Sequence, residues 1–351
     1  MNGAPGPLAP PVLRVLLLAS SLVLALLLVG AAPAAAQSPL PGMVDDCAAD
    51  FPEFRTACED AALALQALQG GVGLLTTAGG ALPASPSTAG VRLAGSPRII
   101  LDGGVSTARF RFPEPGRFDP ENRDENRTLV GGRLVGTVGI FEGFSPVPTV
   151  GGVLGLDGVL LLRYHRLPSR PEDTGYDENV WAWGGGVRIG MIRESFSLPG
   201  VTITALHQRV GEVTYLGWVT EPGEPERRIA ARTNPRVTSV RAEVGKDMLA
   251  LGLTAGVAWD RYSGGASIVA AQAAPEFGVG IPFTGTGETS SFTTDRTYWF
   301  AGVNFTWVVV QAAAEVGWAG RPSRQVEFDG SGPVRTGGGS LQGALTLRIT
   351  Y

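Results

Sequence analysis

Two histidines, two cysteines and a set of alternating charges are the residues of this 351-residue chain whose chemistry could be specific. His165 and His207 are the only histidines, too few for a histidine-rich metal centre. A Ser-His-acid hydrolase would have to use His165, with Asp173 or Asp177 shortly after it as the acid. No Gly-x-Ser-x-Gly turn is present to expose a nucleophile, so His165 reads as an ordinary polar side chain. The triplets Gly184-Gly185-Gly186 and Gly337-Gly338-Gly339 are not followed by Gly-Lys-Ser/Thr, so they read as strand bends rather than phosphate loops. No catalytic residue, metal ligand or cofactor is assigned.

Cys47 and Cys58 are a candidate disulfide if the chain reaches an oxidising compartment. Eleven residues along one straight helix span about 16 Å, too far for a bridge. Pairing therefore requires a turn between them, and Pro52 is the natural place. The export signal is at the N-terminus. Arg14 precedes an apolar run over residues 15–29, broken only by Ser20 and Ser21, and Ala34-Ala35-Ala36 follows. That order of charge, apolar run and small residues is that of a secretory signal peptide. The run is shorter than the roughly 20 residues of a spanning helix. Cleavage is expected after Ala36, with residues 1–36 excluded from the fold.

The charge balance is −4, with one lysine, Lys246, against 27 arginines, and no basic stripe points to nucleic acid. Glycine is abundant at 50 residues, which suits curved strands as well as loops. Apolar residues at helical spacing predict a short periplasmic helix over 58–68, serving as a cap or packing element or as a plug inside the barrel, and residues 69–96 read as a linker without periodicity. From residue 97 the texture becomes alternating, apolar on one face and polar on the other. Strands are predicted over 98–112, 129–143, 152–166, 179–193, 201–219, 237–245, 249–262, 297–307 and 311–319, with a last one at the C-terminus. A phase slip near Leu206 and His207 suggests a bulge, and a very short turn is expected at Lys246-Asp247. Ten strands result, or twelve if residues 80–96 or 263–295 hide a hairpin. Long loops and short turns alternate between them, which puts both termini on one side. Phe144, Tyr164, Trp181, Trp218, Trp259, Tyr262, Trp299, Trp307, Trp318 and Tyr351 lie near strand ends, where interfacial aromatics belong.

The last strand carries Leu345, Leu347, Ile349 and Tyr351 on one face, against Gln342, Thr346 and Arg348 on the other. With the export signal and the alternating hairpins, it resembles the C-terminal strand signal of Gram-negative outer-membrane β-barrels. The helix and Gly-rich segment ahead of the strands are also similar to fatty-acid-transporter-type barrels, whose N-terminus plugs the lumen. Their Asn-Pro-Ala segment is missing from this sequence. The resemblance implies an all-β, antiparallel up-and-down transmembrane barrel over 97–351, preceded by a periplasmic helical segment and linker over 37–96. It places the protein in the outer membrane with N- and C-termini periplasmic. Outer-membrane lipid, the barrel-assembly machinery and a small solute become its partners, and Leu345, Leu347, Ile349 and Tyr351 become the assembly signal.

In such a barrel the polar face points inward, which makes Arg133, Asp157, Arg163, Arg188, Arg241, Glu243, Asp260, Glu315 and Arg348 lumen-lining candidates. Those charges would either compensate one another in a filled lumen or line a narrow channel for polar solutes. The expected function is a porin-like or transport channel for small or hydrophobic solutes. The alternative is a closed structural or surface-interaction barrel whose loops bind partners, and a membrane-surface hydrolase ranks below both.

Overall fold

The computed structural model describes residues 40–49, 52, 55–91, 96–113, 124–145, 152–167, 174–176, 179–196, 198–219, 227–272, 290–320, 326–328, 332–334 and 339–350. The expected signal peptide and its cleavage point, Tyr351, and most of the long loops fall outside them. Among the described residues, fourteen strands follow two helices in sequence order. The helices are α1 (Leu40–Ala48) and α2 (Arg55–Thr77). The strands begin with β1 (Ile99–Pro113), β2 (Asp124–Phe141), β3 (Gly155–Arg166), β4 (Thr174–Tyr176) and β5 (Asn179–Ile192). They continue with β6 (Gly200–Val210), β7 (Val213–Val219), β8 (Arg227–Met248), β9 (Leu251–Gln272) and β10 (Ser290–Trp307). The last are β11 (Val310–Ala319), β12 (Val326–Phe328), β13 (Gly332–Val334) and β14 (Ser340–Thr350).

Ten staves form one closed antiparallel barrel, because β7 prolongs β6, β4 prolongs β5, and β12 and β13 make a separate small hairpin. Sequence neighbours pair throughout, and the barrel closes where β14 meets β1, with Ile100 opposite Thr350. Closure leaves no free strand edge, which a β-structure needs in a medium that cannot hydrogen-bond to it. Alternation decides the faces. Along β14 the odd residues Leu341, Leu345, Leu347 and Ile349 are exposed, while Ser340, Gln342, Thr346 and Arg348 are buried. Leu101, Val105, Leu134, Ile140, Leu160 and Leu253 continue the apolar outer surface on other staves. Trp181, Trp183, Trp299, Trp307 and Trp318 are more than half exposed on the same surface. An apolar band of this kind, carrying ring systems, suits a barrel that meets lipid. No helix among the described residues is long and apolar enough to cross a membrane.

Several boundaries move from their sequence positions. The hairpin β8–β9 is far longer than expected, its ladder running from Met248–Leu251 to Arg227–Gln272. Its turn is Leu249-Ala250 rather than Lys246-Asp247, with Leu249 at φ 57°. The upper part of this hairpin, residues 230–235 opposite 264–269, carries exposed Arg232 and Asn234 and buries Ala231, Ala266 and Ile268 in the interior core, so outward apolar alternation gives no sign of it. The phase slip lies at Gly211 and Glu212, between β6 and β7, instead of at Leu206 and His207. Pro235 of β8 stands opposite that break and has no N–H to donate there. Tyr262 is fully buried and faces inward, so it is no interfacial ring.

The largest correction concerns residues 37–96. The helix expected over 58–68 on the periplasmic side runs from Arg55 to Thr77 and lies inside the barrel, against β1, β2, β3, β7, β8 and β9. Leu65, Leu68, Val72, Leu74 and Leu75 are buried against wall residues including Ala108, Leu129, Ala231 and Tyr298. Residues 78–90 continue through the lumen without regular structure, and β1 follows after the bridge between Val91 and Pro97. The described residues also start and finish at opposite ends of the barrel. α1 packs on β9, β10 and β12 at the long-loop end, whereas Thr350 lies beside Ile100 at the short-turn end. The barrel itself begins and ends on one side, as expected, with Ile100 beside Thr350, and residues 1–39 lie outside the described residues.

Candidate functional site

Local packing decides how a helix fits inside so narrow a barrel. A β-carbon added at Gly73 would fall 2.5 Å from the Tyr262 ring, so only glycine lets α2 lie on that wall. Gly79, at φ +71°, lets the backbone leave the helix in a conformation L side chains rarely adopt. Cys47 and Cys58 are bridged, with their Cα atoms 6.1 Å apart, and tie α1 back onto α2. The break between the two helices contains Pro52.

A helix C-terminus leaves its last carbonyls without partners and carries partial negative charge. The wall answers both needs here. Gln208 Nε2 donates to Thr76 O at 3.3 Å and the Tyr298 hydroxyl to Thr77 O at 3.4 Å. Arg133 and Arg163 both donate to Ala78 O, at 3.2 and 3.0 Å. Arg163 also reaches Gly80 O at 2.8 Å, and Arg133 reaches Ala81 O at 2.6 Å. Two cations from neighbouring strands thus sit where the α2 dipole ends. His165 Nε2 lies 3.0 Å from Thr76 Oγ1, which commits that ring to the plug. Asp173 and Asp177, its conceivable acid partners, lie outside the described residues. His207 faces outward beside Thr238, 3.0 Å away.

Farther along, the wall holds the irregular segment by its backbone. Arg348 donates to Pro83 O and Asn304 to Ala84 O, each at 2.8 Å. Arg188 donates to Ser85 O, while Glu243 accepts from Ser85 N at 3.0 Å. Asp157 accepts from Ala89 N at 2.8 Å. The short-turn end is laced together below this. Glu194 N donates to Ser87 Oγ at 3.2 Å, and the Glu194 carboxylate meets Lys246 at 3.4 Å and Asp247 N at 2.7 Å. Partial burial in this turn raises the Glu194 pKa from its ordinary value.

The nine lumen candidates are all buried: Arg133, Asp157, Arg163, Arg188, Arg241, Glu243, Asp260, Glu315 and Arg348. The structure sorts them into groups. Arg241 binds Glu315 and, at 3.4 Å, Glu243. Arg133 and Arg348 flank Asp102, each at 3.4 Å. Asp157 and Arg188 are ladder partners on adjacent staves. Asp260 accepts from the Tyr262 hydroxyl at 2.9 Å. Arg163 has no ion pair among the described residues and is held by carbonyls alone. Sequence reasoning missed Asp102 and the buried Arg296. Asp102 shares an inward phase with Ser106 and Ala108, a signal the alternation of β1 does carry. Arg296 lies in a stretch that reads as loop, because the start of β10 has no apolar alternation.

No metal-type cluster of His, Cys, Asp and Glu occurs among the described residues. No family model matches the sequence, and no curated protein matches it. Solved structures similar to it include the translocator domain of the autotransporter NalP from Neisseria meningitidis, at 11% identity and a TM-score of 0.40, covering 72% of this chain and 88% of that one. The outer-membrane protease OmpT from Escherichia coli is similar at 11% identity and a TM-score of 0.34, covering 73% of this chain and 96% of that one. The toluene transporter TodX from Pseudomonas putida is similar at 9% identity and a TM-score of 0.29, covering 72% of this chain and 89% of that one. These proteins translocate, cut and transport, so their activities stay with them. With its ten-stave closure, apolar outer surface and charged interior, the protein has the fold of an outer-membrane β-barrel.

Proposed function

We propose that the protein is an outer-membrane transport barrel for small polar solutes, closed at rest by its own N-terminal segment. The observation that carries this reading is the way residues 78–90 are held. Their side chains are mostly those of Gly, Ala, Ser, Thr and Pro, and the wall binds their backbone through exchangeable polar bonds. Each arginine bond contributes about 1.5–3 kcal/mol net and the Asn304 bond about 0.5–1.5, because water can replace them. A permanently filled barrel of this width would close more simply with bulky wall side chains. Once vacated, the wall would present Arg133, Arg163, Arg188, Arg241, Arg296 and Arg348 against fewer acids, which favours polar or anionic solutes over hydrophobic ones. The proposal gives no catalytic role to His165.

Locking the plug tests the idea. A β-carbon placed on Gly190 would lie 3.5 Å from the Thr88 β-carbon, within disulfide range. In planar bilayers the wild-type protein should show intermittent openings. A Thr88→Cys/Gly190→Cys variant should be silent when oxidised and recover when reduced, with reduced wild type as the control for the native bridge. A wild-type barrel that never conducts, in a strain whose solute uptake does not depend on it, would leave the closed-barrel reading in place.

A further inference from the structure

The path of the polypeptide through the lumen has a direction. β10 runs from the long 273–289 connection to the two-residue turn at Val308-Val309. A β-carbon on Gly70 would lie 3.2 Å from Arg296, near the start of β10, whereas Ala84 O is bonded to Asn304, near its end. The segment therefore descends from the long-loop end to the short-turn end. It reaches the Glu194 turn at Ser87 and then feeds β1. α1 lies at the far end, on β9, β10 and on β12, which belongs to the β11–β14 connection.

In bacterial outer-membrane barrels the short turns are periplasmic and the long loops face outward. Under that rule the N-terminal segment crosses the membrane inside the barrel. A second observation agrees. The wall contacts to residues 78–89 engage backbone C=O and N–H groups, which nearly every residue type carries. Such a wall grips an extended polypeptide of small side chains without reading its sequence.

We infer that the barrel carries its own N-terminal segment through its lumen, so that α1 and the disulfide-tied helix turn are displayed on the cell exterior. The lumen then acts as a conduit for polypeptide, whether or not it also passes small solutes. The occupant is an extended segment with small side chains, followed outward by the folded α1–α2 cap.

The test uses the scarcity of lysine. Lys246, the sole native lysine, is at the short-turn end, and Gly42 of α1 is exposed with nothing within 4 Å of an added β-carbon. Intact cells producing wild type or Gly42→Lys are treated with a succinimidyl ester linked to polyethylene glycol too large for general porins. The variant should show one additional gel shift in intact cells, while Lys246 reacts only after the outer membrane is permeabilised. Modification of residue 42 only after permeabilisation, or in neither case, overturns the inference. Heat-modifiable migration shows that the variant has folded; Asp46→Lys, at another exposed α1 position, replaces it if it has not.

Discussion

Arg241 and Glu315 face each other inside the barrel from β8 and β11, two staves that do not pair. Both ends of the guanidinium meet both carboxylate oxygens, Nη1 to Oε1 at 2.9 Å. The pair is almost wholly buried, and the Arg241 guanidinium also stacks 3.4 Å above the centre of the Phe300 ring. Removing one partner strands a buried charge, which costs about 3–5 kcal/mol, whereas replacing both with apolar groups is often neutral. Glu315→Gln should therefore lower the urea midpoint of the heat-modifiable form sharply. Arg241→Met/Glu243→Gln/Glu315→Leu, which removes every charge of this buried group, should recover most of the loss. Equal losses in the single and triple variants would count against a coupled group.

Arg163 tests the hold on the plug. Arg163→Met removes the bonds to Ala78 O and Gly80 O while the barrel ladder stays intact. Hydrogen bonds from a charged donor are worth about 1.5–3 kcal/mol, so single-channel recordings should show openings about tenfold more frequent than in wild type, or more. Barrel migration on gels should be unchanged.

Gly73 should be intolerant of any side chain. Gly73→Leu would force α2 away from Tyr262, and overpacking of this kind costs about 1–3 kcal/mol or more. Loss of the ordered helix should appear as faster tryptic cleavage at Arg55. Cleavage as slow as in wild type would mean that the helix fits another wall.

The Cys47–Cys58 bridge makes a separate prediction. Closing a loop of that length stabilises by roughly 2–3 kcal/mol on chain-entropy grounds. Cys47→Ser/Cys58→Ser should loosen α1, freeing Arg55 from Asp45, its partner at 2.8 Å. Trypsin should then cut there about ten times faster or more, by the same entropy argument, while the barrel itself keeps its heat-modifiable shift.

How much of this is legible depends on what each segment has to do. Leu345, Leu347 and Ile349 must face lipid, so the period-two pattern of β14 stands out. The upper β8–β9 hairpin, around Thr233 and Ala266, has no lipid face, and its strands read as loops. The plug is hidden for a different reason. Residues 78–90 have no periodicity because their partners are Arg133, Arg163, Asn304 and Arg348, far along the sequence. Alternation is enough to place the wall charges on the inner face, but nothing local shows that backbone carbonyls meet them.

The seam between β1 and β14 joins the two ends of the barrel sequence, and β1 directly follows the segment that fills the lumen. Contacts so distant in sequence form slowly, because a long loop must be closed before they contribute. An internal mandrel changes that problem. Staves that dock in turn on α2 and on residues 78–90 are already curved when the first and last edges meet. Deleting residues 37–90 should accordingly delay the appearance of the folded gel species far more than it lowers the final yield. The N-terminal segment would then be the form around which the cylinder is cast, before it is anything that closes it.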